Sequence, residues 1–179
     1  MKKNGILMAY FSLAGETYVN GNIVVLEQGN TDVVAHRLAA KTEMDLFHIE
    51  KLGGYPFTYK GTVEIAKEEW KNDARPELTA RVEHMEQYDT LILGYPNWCG
   101  TMPKPVFTFL ESYDLKGKRI VPFCTNEGSG LGKSMEDLKK ICPDSQILPG
   151  TSIHGAEAAD VVEELDRILE ITAQGKVSD

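Results

Sequence analysis

The chain has 179 residues, of which 42% are hydrophobic and 26% charged, and its formal net charge at pH 7 is −8. This length and composition predict one globular domain over residues 1–179, and the negative charge disfavours nucleic acid and anionic membrane surfaces as partners. No apolar run approaches the ~20 residues of a membrane span, and the first residues run into a strand rather than a signal-peptide core. We therefore expect a cytoplasmic protein with no membrane span.

The three cysteines are Cys99, Cys124 and Cys142. Their odd number and the absence of C-x-x-C spacing support neither a disulfide framework nor a zinc site. We expect reduced thiols and no bound metal.

A buried-strand run occupies residues 6–11, but the helix that should follow it is delayed. Asn20-Gly21 lies between two apolar segments, which is the strongest short signal for a β-hairpin. We therefore predict an inserted hairpin at about residues 17–28. Gly29-Asn30-Thr31-Asp32 then provides an N-cap and an acidic first turn for a helix with apolar spacing over residues 33–38.

Without the insertion, Ser12, Ala14 and Gly15 join directly to Asn30 and Thr31, between a strand and a helix. A helix N-terminus has unpaired N–H groups and a partial positive charge, so it stabilises a phosphate without any basic side chain. The pattern predicts an anion cradle. An ordinary capped turn has the same residues, so the cradle needs support from other loops.

Strands and helices alternate through the rest of the chain. We predict a strand at 45–49, a helix from residue 60 or 62 to 71 with Trp70 on its inward face, and a short helix at 80–86. Residues 89–94 form an apolar strand, followed by a loop and a helix that starts at Pro103 and ends near 115–117. The remaining predicted elements are a strand at 119–124, a loop at 125–132, a helix at 135–141, a strand at 146–148 and a helix at 158–172, before a frayed tail from Gln174.

Five alternations of strand and helix predict an α/β fold, a doubly wound five-stranded parallel sheet with helices on both faces. Pro122 lacks a ladder N–H, which argues against a central position for the strand at 119–124. In such a sheet the loops after the strands lie at one edge, where ligands bind. The loops after the first, third and fourth strands therefore meet there.

These loops differ in chemistry. The second offers Trp98 beside Asn97 and Gly100, an aromatic plate with backbone amides for a flat polar ring. The third, residues 125–130, is polar and has no bulky side chain, so its backbone can lie along a ring edge. A phosphate at one end and a planar heteroaromatic ring at the other describe a mononucleotide.

The order of these motifs resembles the flavodoxin-like family that binds FMN, and in particular a bacterial branch with a hairpin inserted in the phosphate loop. The resemblance covers residues 5–172 and implies noncovalently bound FMN. The implied contacts fall into three groups: Ser12, Ala14, Gly15, Asn30 and Thr31 for the phosphate, Pro96, Asn97, Trp98, Cys99 and Gly100 for one side of the ring, and Thr125, Glu127, Gly128 and Ser129 for the other.

Two positions depart from the family pattern. Cys99 stands where related sequences have a second tryptophan, and residues 125–134 contain no aromatic to cover the outer face of the ring. An open face would admit a nicotinamide or a quinone.

The resemblance implies an electron carrier that serves a redox partner protein, with no catalytic side chain of its own. The alternative is an FMN-dependent oxidoreductase that reduces a quinone or a similar small acceptor with NAD(P)H.

A weak alternative is a P-loop-like nucleotide-binding protein, because residues 127–134 miss G-x-x-x-x-G-K-S by the first residue. There Glu127 replaces the glycine, and its carboxylate would repel a phosphate. A phospho-acceptor signalling domain is disfavoured because residues 8–11 hold no carboxylate.

Other chemically distinctive residues have simpler interpretations. We interpret Trp70 as core, Cys99 as a small packing residue, and His36 and His48 as surface residues or residues bonded to backbone. His154 lies on the ligand edge, and we assign it no role.

Overall fold

The computed structural model describes residues 5–174 and confirms the doubly wound α/β fold. The strands of the main sheet are β1 (Gly5–Tyr10), β4 (Asp45–His48), β5 (Tyr88–Pro96), β6 (Arg119–Asn126), β7 (Gln146–Ile147) and β8 (Thr151–His154); β2 (Gly15–Val19) and β3 (Asn22–Leu26) form the separate hairpin. The sheet is parallel, with strand order β4-β1-β5-β6-β7, and β8 also pairs with β6. Because β7 and β8 both pair with β6, they share the position predicted for one fifth strand at 146–148.

Helices cover both faces of the sheet because alternate residues of each strand point to opposite sides. One face packs against α3 (Lys104–Glu111) and α4 (Ser134–Ile141), and the other against α1 (Asn30–Ala39) and α5 (Glu163–Ala173). In β5, Leu91 and Leu93 enter the first core cluster, and Ile92 enters the second. The remaining helix, α2 (Tyr59–Lys71), contacts α3 and the inserted hairpin.

The inserted hairpin is confirmed and is shifted by two residues. Its strands are β2 (Gly15–Val19) and β3 (Asn22–Leu26), paired antiparallel. Asn20 and Gly21 have φ values of 47° and 87°, so the turn needs the residue types that tolerate the left-handed region. The sequence signal at Asn20-Gly21 therefore located the hairpin correctly.

The strand with Pro122 is central, contrary to the prediction. The carbonyl of Ile120 accepts a hydrogen bond from Leu148, whereas that of Thr125 accepts one from Asn97 on the β5 side. Since backbone groups alternate in direction along a strand, the Pro122 nitrogen faces outward, opposite the break between β7 and β8. The missing N–H therefore falls where the pairing changes from β7 to β8, and it leaves the pairing with β5 intact.

Two helix predictions were wrong: one predicted helix does not exist, and another starts later than predicted. Residues 80–86 do not form a helix, because Val82 N–H donates to the Tyr113 hydroxyl and His84 has φ 55°; a 3₁₀ turn at Met85–Gln87 is what remains. The last helix starts at Glu163 rather than 158, since Val162 has φ −124° and acts as its N-cap.

Smaller differences lie at helix ends. Pro103 is the N-cap of α3, which ends at Glu111, earlier than the predicted 115–117. The tail predicted to fray lies, apart from Gln174, outside the described residues. Within residues 5–174, no helix has the length and apolar character to cross a membrane.

Trp70 is not a core residue, because its side chain is 54% exposed. The inward position next to it belongs to Glu69, which is buried and pairs with Lys51 at 2.7 Å. The Tyr55 hydroxyl donates to the second Glu69 oxygen, also at 2.7 Å. This network places a carboxylate where the apolar pattern predicted the indole.

Candidate functional site

A cavity of about 360 Å³ lies at the edge of the sheet where the three predicted loops meet. Its lining includes ten of the predicted residues: Ser12, Asn30, Thr31, Pro96, Asn97, Trp98, Cys99, Thr125, Glu127 and Ser129. Four others, Ala14, Gly15, Gly100 and Gly128, do not line it. Gly15, Gly100 and Gly128 have positive φ and shape the loops instead.

The two halves of the predicted cradle, the loop at Ser12 and the start of α1, are in contact. The Asp32 N–H at the start of α1 donates to Ser12 Oγ at 3.1 Å, so the Ser12 hydroxyl proton is left for a ligand. The Thr31 and Thr125 hydroxyls are 2.8 Å apart, which links the first loop to the third. Ser12 and Thr31 are buried, so a bound anion would be well desolvated there.

Gly29 permits this contact, a role that the sequence did not reveal. A Cβ at Gly29 would lie 2.2 Å from Ser12 Oγ and 2.3 Å from the Leu13 carbonyl oxygen. With φ −67° the residue needs glycine for space and not for backbone freedom. No periodicity or turn signal distinguishes this requirement from ordinary helix capping.

The second loop holds Trp98 rigidly. Trp98 and Thr101 exchange backbone hydrogen bonds of 2.9 and 3.0 Å, and the Asn97 side chain donates to the Gly130 carbonyl at 3.0 Å. The Trp98 ring meets Phe11 and Tyr55 edge to face, with centroids 5.1 and 5.2 Å away. The indole is therefore fixed in position before any ligand binds.

Cys99 is exposed at the rim of the cavity, so its interpretation as a packing residue was wrong. Its φ of 53° and that of Gly100, 79°, form the tight turn after Trp98. Partial burial raises the pKa of the Cys99 thiol, although Lys67 and Lys104 act in the opposite direction. The thiol is therefore protonated at neutral pH.

Asn126 organises the third loop and was missed. Its Oδ1 accepts hydrogen bonds from the N–H groups of Gly128 and Gly130, and its Nδ2 donates to Ser152 Oγ. Asparagine before a glycine-rich segment is a known signal for this kind of turn and could have identified it. The Glu127 carboxylate, expected beside a ring, lines the cavity and also accepts a hydrogen bond from the Asn20 N–H at the hairpin tip.

Tyr18 and Tyr59 also line the cavity. Tyr18 comes from the hairpin and Tyr59 from the start of α2, and their ring centroids are 6.3 Å apart. The sequence prediction of an open ring face considered residues 125–134 alone, and these indeed contain no aromatic. The cavity nevertheless has aromatic side chains from two elements far from that loop in sequence.

The histidines lie around the cradle. His48 stacks on Tyr10 with ring centroids 4.9 Å apart, and its Nε2 is 3.2 Å from the Ser12 carbonyl oxygen, in agreement with the backbone-bonded interpretation. His36 pairs with Asp32. In residues 5–174, no group of His, Cys, Asp and Glu side chains is arranged to hold a metal ion.

The segment that resembles a P-loop is already engaged with the protein. The Lys133 N–H donates to the Gly100 carbonyl at 2.7 Å. Ser134 is fully buried, and its hydroxyl bonds the Tyr95 hydroxyl and the Leu131 carbonyl. This packing does not support phosphate or Mg²⁺ binding at residues 127–134.

The model of one protein family, flavodoxin, matches residues 5–168. The chain belongs to the flavodoxin family. No curated protein sequence matches it significantly.

Solved structures share the fold along nearly the whole chain. A protein described as a candidate flavoprotein from Bacteroides eggerthii is 28% identical with a TM-score of 0.73, and the match covers 93% of this chain and 96% of that one. A similar protein from Bacteroides uniformis is 22% identical with a TM-score of 0.73, covering 94% and 99%. The flavoprotein from Lactobacillus acidophilus, solved in complex with FMN, is 16% identical with a TM-score of 0.60, covering 86% and 95%.

The residues present fit the cofactor of this family, FMN. The cradle at Ser12, Asn30 and Thr31 suits its phosphate, and Trp98 with the backbone of the third loop suits its ring. Among residues 5–174, Lys67 is the single lysine or arginine in the lining of the cavity, so a phosphate in the cradle would depend on neutral donors.

Thr31→Val is expected to weaken FMN binding by about 1–3 kcal/mol, because it leaves a charged acceptor one hydrogen bond short. It also removes the contact between Thr31 and Thr125. Riboflavin, which lacks the phosphate, should bind almost as before. Fluorescence titration of both ligands checks this, and equal weakening of both would show that the phosphate lies elsewhere.

Proposed function

We propose that this flavodoxin is an electron carrier that binds FMN noncovalently and passes electrons between redox partners. The bound isoalloxazine supplies the redox chemistry, while the protein sets its position and electrostatics. The observation that carries the proposal is the aromatic lining of the cavity, by Trp98 on one loop and by Tyr18 and Tyr59 on the hairpin and α2. A ring covered in this way exchanges electrons singly at its edge.

The two carboxylates that line the cavity, Glu16 and Glu127, also favour a carrier, because each accepts a hydrogen bond from a backbone N–H. Glu16 accepts a hydrogen bond from the Tyr59 N–H at 2.9 Å, at the N-terminus of α2. Glu127 bonds the Asn20 N–H at 2.9 Å. Each carboxylate therefore has a structural role in attaching the hairpin.

The partner that we propose is a protein with a basic surface. The net charge of −8 favours association with positive charge and speeds the encounter at low salt. Exposed Trp70 shares a small crevice with Trp98, Cys99 and Lys104, so it lies beside the rim of the cavity. Tryptophan is a preferred anchor in protein interfaces, and Trp70 is our candidate for the contact.

The exposed free thiol of Cys99 suits a reducing compartment such as the cytoplasm.

A second candidate function is an FMN-dependent oxidoreductase that uses NAD(P)H and a quinone-like acceptor. The observation that favours it is Lys67 in the lining of the cavity, a cation within reach of a second ligand. Hydride transfer would need the nicotinamide within about 3–3.5 Å of a bare face of the ring. The tyrosines from the hairpin and α2 argue against such a face.

One experiment in two steps tests both candidates. Purified protein titrated with FMN should show the shifted visible bands of bound flavin at micromolar concentration or below, and failure to bind would contradict the core proposal. The FMN-loaded protein is then mixed anaerobically with NADH or NADPH. We expect no fast bleaching, whereas bleaching at rates on the order of 1 s⁻¹ or above would identify a reductase.

A further inference from the structure

Glu127 connects the inserted hairpin to the far side of the cavity. Its Oε2 accepts a hydrogen bond from the Asn20 N–H at 2.9 Å and lies 3.4 Å from His154 Nε2 at the end of β8. Only 18% of the Glu127 side chain is exposed. A carboxylate of the third loop therefore accepts a hydrogen bond from the tip of the hairpin and also contacts the last strand.

Local structure presents this carboxylate to the hairpin. Asn126 bonds two N–H groups of the same loop, which fixes the backbone on either side of Glu127. Gly155 leaves the necessary room, since a Cβ there would lie 2.7 Å from Glu127 Oε1 and 2.6 Å from Asn30 Nδ2. The glycine after His154 thus allows Glu127 to reach across.

The hairpin tip is suited to this contact. In a two-residue turn of this type the first turn residue, Asn20, does not use its N–H within the hairpin. The positive φ values of Asn20 and Gly21 hold the turn in one shape. One backbone donor is therefore directed outward at a fixed place.

The opposite end of the hairpin is attached more extensively. The Glu16 N–H donates to the Phe57 carbonyl at 3.0 Å, and the Glu16 carboxylate accepts from the Tyr59 N–H at 2.9 Å. The cavity lies between these two attachments, because Glu16, Thr17, Tyr18 and Leu26 all line it. Movement of the hairpin away from the cavity would break the contact at Glu127 first.

The contact is also weaker than its geometry suggests. Glu127 Oε1 is buried and has no hydrogen-bond partner in the described part of the chain. A buried oxygen without a donor costs free energy, which returns when the carboxylate is hydrated. The attachment at Glu127 is therefore weaker than one in which both carboxylate oxygens are paired.

We propose that Glu127 is a positioning residue that clasps the β2–β3 hairpin over the cavity, and that this hairpin is the gate through which FMN enters and leaves. The proposal rests on the FMN binding stated above. The expected contact of Glu127 with the ring stays a prediction, which the exchange rates below distinguish from the clasp. A gate that blocks entry and exit alike changes the rates of exchange while the affinity stays nearly constant.

The test compares FMN exchange in wild-type protein, Glu127→Ala and Glu127→Gln, with Glu136→Ala as a control on the exposed surface of α4. Fluorescence follows association by stopped flow and dissociation after dilution. For Glu127→Ala we expect both rates to rise about tenfold, with Kd changed by less than about threefold. Glu127→Gln retains an acceptor for the Asn20 N–H, so its rates should lie between those of wild type and Glu127→Ala.

Three results of the exchange measurements would overturn the clasp alone. Unchanged rates in both variants would show that the hairpin does not gate the cavity. A rise in the dissociation rate alone would make Glu127 a direct FMN contact. Rates faster in Glu127→Gln than in Glu127→Ala would exclude the hydrogen bond to Asn20. Wild-type protein that binds no FMN would overturn the proposed function together with the clasp, so the two failures are distinguishable.

Discussion

Gly29→Ala is expected to weaken FMN binding on the order of a hundredfold, the effect of about 2.7 kcal/mol. The added methyl would lie 2.2 Å from Ser12 Oγ and 2.3 Å from the Leu13 carbonyl oxygen. Both neighbours belong to the cradle, and the second is backbone, which cannot move aside by a simple rotation. The chain can accommodate the methyl only by separating the first loop from the N-terminus of α1.

The same change also removes a hydrogen bond that orders the cradle. The Asp32 N–H donates to Ser12 Oγ at 3.1 Å, and this bond cannot survive the separation. Isothermal calorimetry with FMN measures the affinity, and thermal unfolding of the apoprotein shows whether the fold persists. Glu27→Ala is a control two residues away on the exposed surface. FMN affinity within threefold of wild type in a folded Gly29→Ala protein would show that the phosphate does not bind here.

The contrast between Gly29 and Asn20-Gly21 explains what the sequence could reveal. Asn20-Gly21 needs a backbone conformation that few residue types adopt, so the pair is visible in the sequence. Gly29 has an ordinary φ of −67° and needs only the absence of a side chain, because Ser12 approaches from a distant part of the chain. The sequence therefore predicts positions that need an unusual backbone conformation, but it does not predict positions where another part of the chain comes too close for a side chain.

The same distinction applies to the elements of the fold. The apolar run of β5 predicted its strand because burial on both faces requires a continuous apolar sequence. The helix predicted at 80–86 failed because the Tyr113 hydroxyl takes the N–H of Val82, a tertiary contact. Tyr18 and Tyr59 were missed as cavity residues for a similar reason, since only the packing of the hairpin against α2 brings them together.

Glu69→Ala is expected to lower the free energy of unfolding by about 3 kcal/mol, the cost of leaving a largely buried charge without its partner. The Lys51 ammonium would lose its 2.7 Å contact with Glu69, and the Tyr55 hydroxyl would lose its acceptor. Burial first, and the Glu69 carboxylate second, raise the pKa of Tyr55, so the phenol remains a hydrogen-bond donor at neutral pH. Removal of Glu69 therefore takes the acceptor from two partly buried donors.

Glu69→Ala should also weaken FMN binding, although Glu69 does not line the cavity. Tyr55 meets the Trp98 ring edge to face at 5.2 Å, and a displaced Tyr55 frees the indole to move. We expect FMN affinity to fall severalfold, as a preorganised contact becomes mobile. Urea unfolding of the apoprotein and FMN titration give the two quantities independently.

Two further variants separate the charge from the packing. Glu68→Ala is the matched control, since that neighbouring carboxylate is exposed and bonds only the Asn72 side chain. The double change Lys51→Met with Glu69→Met removes both charges and retains their volume, so it should recover most of the stability lost in Glu69→Ala. The FMN affinity of the double variant then reports on Tyr55 alone, because its hydroxyl still lacks an acceptor. Wild-type affinity in that variant would show that Phe11 and the turn at Trp98–Thr101 suffice to hold the indole.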